Sequence, residues 1–283
     1  HWGLYSDSSR WDLFTEELLR AELRDFRQHG ITGLIMYPLV HSTISVREGR
    51  LIINSDKFAG YMKMAREVGL DGPMVMDFQG LLNRVKQLTG TDVGSSGFAD
   101  FYTEVIGHFA ERGIQEEWGE MVYHAVDEPS NQEKARDAQA LLSIIKQMGL
   151  PTFTTANNVQ MVSELLDHVL DVRTWYISFA ASPTAAAARR AEAEAVGGHF
   201  WCYGSGSYTG QEGRMLANRY IGGLFLAKSG AEGMWSWTCA YRGGGRRWVD
   251  RVAKQEGVLT GTPSWQSVTG TSHQGRQTSS QVR

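Results

Sequence analysis

Asp127 and Glu128 are adjacent carboxylates at the end of an apolar run, Met121-Val122-Tyr123-His124-Ala125-Val126, and Pro129 follows them. A buried strand that surfaces in two acids must solvate, pair or protonate each one. Paired carboxylates at such a position suit acid/base chemistry. Neighbours on a regular strand point to opposite faces, so both reach one site only if the chain bends there. Pro129 favours a bend, because it lacks an N–H and steers Glu128 away from helical backbone angles. The plainer use of the pair is as cap and first-turn acid of the next helix. Ser130 and Asn131 are further cap candidates.

The elements that must position the pair alternate along the chain. Short apolar runs fall at residues 2–5, 32–39, 73–78, 121–126, 152–155, 172–177, 199–203 and 233–238. Between them lie helical periodicities, such as Leu18, Leu19, Leu23, Phe26 and later Ala138, Leu141, Leu142, Ile145. Met215, Tyr220, Leu224 and Leu226 are assigned to the last long helix. Gly30, Gly69, Gly149, Gly198 and Gly230 stand where helices should stop. Eight βα units in 283 residues predict an α/β fold of the (β/α)8 TIM-barrel type, spanning residues 1–265. An open doubly wound sheet is the alternative, but no Gly-rich turn opens a helix after the first strand. Residues 41–54 read as an inserted hairpin turning at Glu48-Gly49. Residues 266–283 are rich in Ser, Thr, Gln and Gly and are expected to be a disordered tail.

In such a barrel the active site lies at the C-terminal ends of the strands. The candidates there are Tyr37 on the second strand, Asp77 on the third and the acid pair on the fourth. Asn157, Trp175 and Tyr203 end the fifth to seventh strands, and Trp235 and Trp237 lie on the eighth. Aromatic faces with amides and carboxylates suit a carbohydrate. Several of these residues have two readings. Trp235 and Trp237 share one face, either a sugar-stacking wall or barrel core, with at least one expected to line the site. Asp77 is a hydroxyl acceptor or a strand-end cap. Asn157 and Asn158 read as caps for the next helix, and Arg219 as the partner of a carboxylate under the rim. His124 reads as a core histidine, and His41 more as hairpin structure than as a substrate contact.

Ordinary retaining hydrolysis needs an acid and a nucleophile about 5–5.5 Å apart on opposite sides of the anomeric carbon. The seventh run, Phe200-Trp201-Cys202-Tyr203-Gly204, offers no carboxylate before Glu212. A substrate whose own 2-acetamido oxygen attacks would not need one. Such a site requires a general acid, a carboxylate for the acetamido N–H and a hydroxyl for its oxygen. Glu128, Asp127 and Tyr203 can fill these roles. A conventional nucleophile at Asp77 or Asp7 is a second reading, and a non-catalytic carbohydrate-binding barrel is a third.

The composition excludes other classes. The formal net charge of −3 gives no basic surplus for nucleic acid. No apolar run approaches the ~20 residues of a membrane span. Cys202 and Cys239 lie in aromatic stretches and read as buried thiols. His199 and Cys202 fall on opposite strand faces, so no zinc site is expected, and neither metal nor cofactor is expected elsewhere. The chain starts at His1 without a visible signal peptide, which leaves its compartment open.

Three motifs carry a family resemblance: Val126-Asp127-Glu128-Pro129, Phe200-Trp201-Cys202-Tyr203, and Arg219-Tyr220-Ile221-Gly222-Gly223 running on to Met234-Trp235-Ser236-Trp237. In this order they resemble glycoside hydrolase family 123, the β-N-acetylgalactosaminidases and their relatives, most clearly over residues 123–237. The resemblance implies a (β/α)8 barrel, retention through an oxazoline and a galacto-configured substrate. It makes Glu128 the acid/base and Asp127 the acetamido-orienting residue, and favours a secreted or periplasmic setting. Family members usually carry a β-sandwich before the barrel and continue past a Trp-containing segment into a helix. The present sequence departs from both patterns.

Overall fold

The computed structural model describes residues 2–4, 11, 14–204 and 220–236. In chain order the strands are β1 (Trp2–Leu4), β2 (Gly33–Met36), β3 (Thr43–Arg47), β4 (Arg50–Asn54), β5 (Met74–Asp77), β6 (Met121–His124), β7 (Thr152–Ala156), β8 (Val172–Tyr176), β9 (His199–Gly204) and β10 (Gly233–Ser236). Eight of them close into a parallel barrel in the order β1-β2-β5-β6-β7-β8-β9-β10, with β10 pairing back to β1. The fold is the expected (β/α)8 barrel. Strands β3 and β4 pair antiparallel as the inserted hairpin. Glu48 and Gly49 both take positive φ at its two-residue turn (52° and 74°), as a primed turn requires.

The helices are α1 (Glu16–Gln28), α2 (Asp56–Glu67), α3 (Leu81–Thr89), α4 (Ser96–Gln115), α5 (Gln132–Gln147), α6 (Val159–Met161), α7 (Pro183–Glu194) and α8 (Leu226–Ser229). Their starts follow local chemistry. Thr15, Ser95, Asn131, Asn158 and Ser182 each accept an N–H of the first turn that they precede. Pro183, which has no N–H to lose, opens α7. Leu19, Leu23 and Phe26 form the buried stripe of α1. α6 runs on as a π turn over Val162–Leu166 and a 3₁₀ turn over Asp167–Val169. Among the described residues no helix is long and apolar enough to cross a membrane.

Alternation along each strand divides the core into two layers. Ile35, Val75, Val122, Phe153, Val172, Trp201, Tyr203 and Trp235 face one another inside the barrel. Met36, Met74, Met76, Tyr123, Trp175 and Cys202 belong to the outer layer, where the sheet meets the helices. The strands are therefore apolar on both faces, which is why they read as continuous runs.

Two expectations are corrected. After α7, Gly197 rather than Gly198 takes the left-handed conformation (φ 68°). Gly198 is needed for closeness instead: a Cβ there would lie 2.5 Å from the Asp171 carbonyl. In the segment assigned to the last long helix, Tyr220 and Leu224 are 57% and 67% exposed rather than core residues, on a π turn that precedes α8. The proposed tail at 266–283, Met215, Arg219 and Cys239 lie outside the described residues.

Candidate active site

Strand β6 ends at His124, and the chain bends at Asp127. Glu128 then takes a left-handed backbone, φ 43°, which is uncommon for a residue with a side chain. This is the bend that the acid pair requires. Helix α5 is capped by Asn131, whose Oδ1 accepts the Lys134 N–H at 2.9 Å, so neither acid is needed as its cap.

Thr155 on β7 fixes the pair from one side. Its hydroxyl donates to Asp127 Oδ1 at 2.5 Å, and its oxygen accepts the Glu128 N–H at 2.9 Å. Tyr203 on β9 meets the pair from the other side, its hydroxyl donating to Glu128 Oε1. Asp127 is exposed and Glu128 half-buried, while Tyr203 is buried. Burial, the hydrogen bond to Glu128 and the charges of Glu128 and Asp127 all raise the Tyr203 pKa, so this phenol stays a hydrogen-bond donor. Tyr176 packs edge-on against Tyr203, ring centroids 5.4 Å apart.

Asp77 ends β5 inside the barrel, 2% exposed. Its Oδ1 accepts the Gln79 N–H at 2.8 Å and its Oδ2 the Gln79 side-chain amide at 3.1 Å, which is the capping arrangement. Tyr37 is half-buried and packs against the interior layer. Asn158 is the helix cap, its Oδ1 accepting the Met161 N–H at 3.2 Å. Asn157 does not share that role, and its Oδ1 is buried without a hydrogen-bond partner.

Trp175 differs from expectation, and Trp235 takes the core reading of its two. Trp235 is barrel core, 3% exposed, stacked on Trp201 at 5.6 Å and flanked by Phe153 at 6.2 Å. Trp175 points the other way, into the helix layer, where the Arg189 guanidinium of α7 lies 4.8 Å from its ring centroid. Period-two alternation from Val172 would have chosen Tyr176 for the inner face instead. Trp237, Asp7 and Glu212 lie outside the described residues. Thr155 is the contributor that sequence reasoning missed. It shares the inner parity of Phe153, but as one of three threonines in a five-residue strand it gives no stronger signal.

His41 is 3% exposed and packs edge-on against Tyr61 at 4.7 Å, as hairpin structure rather than as part of this site. Among the described residues, no three His, Cys, Asp or Glu side chains gather as metal ligands would.

No protein-family model and no curated protein matches this chain. Solved structures do. A sugar phosphate isomerase/epimerase of Parabacteroides distasonis is 12% identical, with a TM-score of 0.52, over 89% of this chain and 97% of that one. The endo-1,4-β-D-mannanase of Thermotoga petrophila is also 12% identical, with a TM-score of 0.50, over 83% of this chain and 87% of that one. At such identity the likeness is one of fold, and it agrees with the closed eight-stranded barrel.

Proposed function

We propose that this chain is a retaining, substrate-assisted exo-β-N-acetylhexosaminidase of the kind found in glycoside hydrolase family 123. The observation that carries the reading is the unequal hold on two adjacent acids. Glu128 receives the Tyr203 hydroxyl, whereas Asp127 is pinned by Thr155 and remains exposed. Among the described inward-facing strand residues the one other carboxylate is Asp77, and Gln79 occupies both of its oxygens. That favours a nucleophile supplied by the substrate over one supplied by the strand ends. The mannanase likeness is compatible with carbohydrate chemistry in such a barrel, as a matter of fold alone.

The roles come from the family resemblance, and the contacts of the acid pair are compatible with them. Glu128 gives its proton to the leaving oxygen while the acetamido oxygen attacks the anomeric carbon. The resulting carboxylate then takes a proton from the water that opens the oxazoline. Asp127 accepts the acetamido N–H and offsets the oxazolinium charge. The Tyr203 hydroxyl, which donates to Glu128 in the free chain, must leave it and turn toward the acetamido oxygen to complete the set. Preference for a galacto-configured sugar and an extracytoplasmic setting belong to this proposal through the family resemblance.

The test is a panel of aryl 2-acetamido-β-hexosides beside the matching hexosides without the acetamido group. Hydrolysis confined to the acetamido series and inhibition by a thiazoline are expected. Equal rates in both series, with a carboxylate labelled by a 2-fluoro sugar, would establish a conventional nucleophile instead. Tight binding without turnover would leave a carbohydrate-binding barrel.

A further inference from the structure

His124 lies three residues before Asp127, at the end of β6 inside the barrel. It is 2% exposed, and neither ring nitrogen has a hydrogen-bond partner. A core histidine normally gives at least one nitrogen to a carbonyl or hydroxyl, because an orphaned buried polar group is costly. His124 has charge around it instead. Asp77 stands directly opposite in the β5–β6 register, with its Oδ1 3.6 Å from His124 Nδ1, an ion-pair distance rather than a hydrogen bond. Both side chains are almost fully buried, and Gln79 holds Asp77 in place. The backbone is locked at the same point, since the His124 carbonyl accepts the Phe78 N–H at 2.8 Å. Phe153 on β7 presents its ring at 5.2 Å and contributes no charge.

We infer that His124 is carried as an imidazolium opposite Asp77 and within reach of the Asp127 charge, and that it is a positioning residue whose charge holds the Asp127 carboxylate in place for the acetamido group. A neutral imidazole here would leave the buried Asp77 carboxylate facing an uncharged ring. A cation balances both acids at once. Burial alone would push the His124 pKa down, but Asp77, Asp127 and the Val126 carbonyl more than offset it, and the net direction is up. The sign of the consequence follows. The cation is present below that raised value and is lost as pH rises through it, taking the support of Asp127 with it. The effect on turnover rests on the hexosaminidase reading, whereas the charge state of His124 does not.

The experiment therefore has two arms. In the first, the full chain is labelled with ¹³C and ¹⁵N and titrated by NMR, with the His124 ring signals assigned by through-bond correlation and checked by their loss in His124→Gln. The expected result is a doubly protonated His124 at neutral pH, with a midpoint that falls in Asp77→Asn and in Asp127→Asn. A neutral His124 at that pH, or a midpoint unmoved by both variants, overturns the inference even if His124→Gln does not fold, because the wild-type titration and the two Asp variants stand without it. In the second arm, kcat for an aryl 2-acetamido-β-hexoside is followed against pH. Loss of the Glu128 proton gives both chains a basic limb, so His124 is read from the comparison: the midpoint of that limb should shift in His124→Gln, with kcat about tenfold lower and KM little changed. A basic limb whose midpoint is the same in both chains also overturns it. A wild-type chain that turns over no hexosaminide defeats the proposed reaction, and the NMR arm still decides the charge.

Discussion

Asp127 and Glu128 are neighbours in the chain but not in surroundings. Glu128 is half-buried against a phenol that the site keeps protonated, and Asp127 is exposed and tied to a threonine hydroxyl. The difference rests on one backbone angle. A left-handed Glu128 just before a proline is strained, at a cost of roughly 1–3 kcal/mol, and such strain persists where the surroundings over-determine it. Here Thr155 does so, gripping the Glu128 N–H and the Asp127 carboxylate together. Unequal surroundings imply unequal losses. Glu128→Gln is expected to lower kcat on alkyl 2-acetamido-hexosides by roughly 10²–10⁴-fold, and by less on leaving groups that need no proton. Asp127→Asn should lose rate chiefly on 2-acetamido substrates. Steady-state kinetics on paired substrates separate the two, and a uniform loss in Asp127→Asn would remove its orienting role.

At the scale of elements, closing the barrel demands close approach where β2 meets the start of β5. A Cβ on Gly33 would lie 2.1 Å from the Pro73 carbonyl oxygen, which is backbone and cannot swing aside. On its other side the Trp235 ring lies 3.5 Å away. Gly33→Ala is therefore expected to destabilise the chain by roughly 1–3 kcal/mol, read as a lower midpoint in urea unfolding. An unchanged midpoint would mean that the β2–β5 approach is looser than described. Elements such as β2 were legible in the sequence because strands buried on both faces read as unbroken apolar runs. The hairpin was legible because Glu48-Gly49 is a turn signal between two apolar stretches. The same property hid the facing of the strands. In Val172-Arg173-Thr174-Trp175-Tyr176 the two rings are alike in character, so only the parity set by Val172 separates them, and the larger Trp175 turns outward under Arg189. Thr155 and the His124–Asp77 pair were illegible for another reason. Their meaning comes from residues 27 to 47 positions away, which only strand register brings together.

At the scale of the whole molecule, an acid on α1 works against its own fold. Glu22 lies on α1 beside the buried stripe of Leu19, Leu23 and Phe26, and its Oε2 is buried without a hydrogen-bond partner. Burial, with a smaller push from Asp25, raises its pKa from 4.5 to about 7. Between those values the folded chain holds a proton that the unfolded chain has released. The native state then binds more protons, and stability falls as pH rises through the window. Above it the full cost applies, at most about 3 kcal/mol. Other groups shape the same curve with opposite sign. His108 is lowered by burial and the nearby Arg112 charge, so its contribution grows as pH rises. Asp171, although burial opposes it, is lowered overall by Lys146 and Thr152, and its contribution is lost in acid. A single pH profile would mix these terms, but a difference between variants separates them. Glu22→Gln keeps the shape of the protonated acid and removes its charge. Its melting temperature should equal that of the wild type at pH 4.5, where both side chains are neutral in the folded state, and exceed it by several degrees at pH 8. A gap that stays constant with pH would show that packing, and not the buried charge, sets the cost at this position.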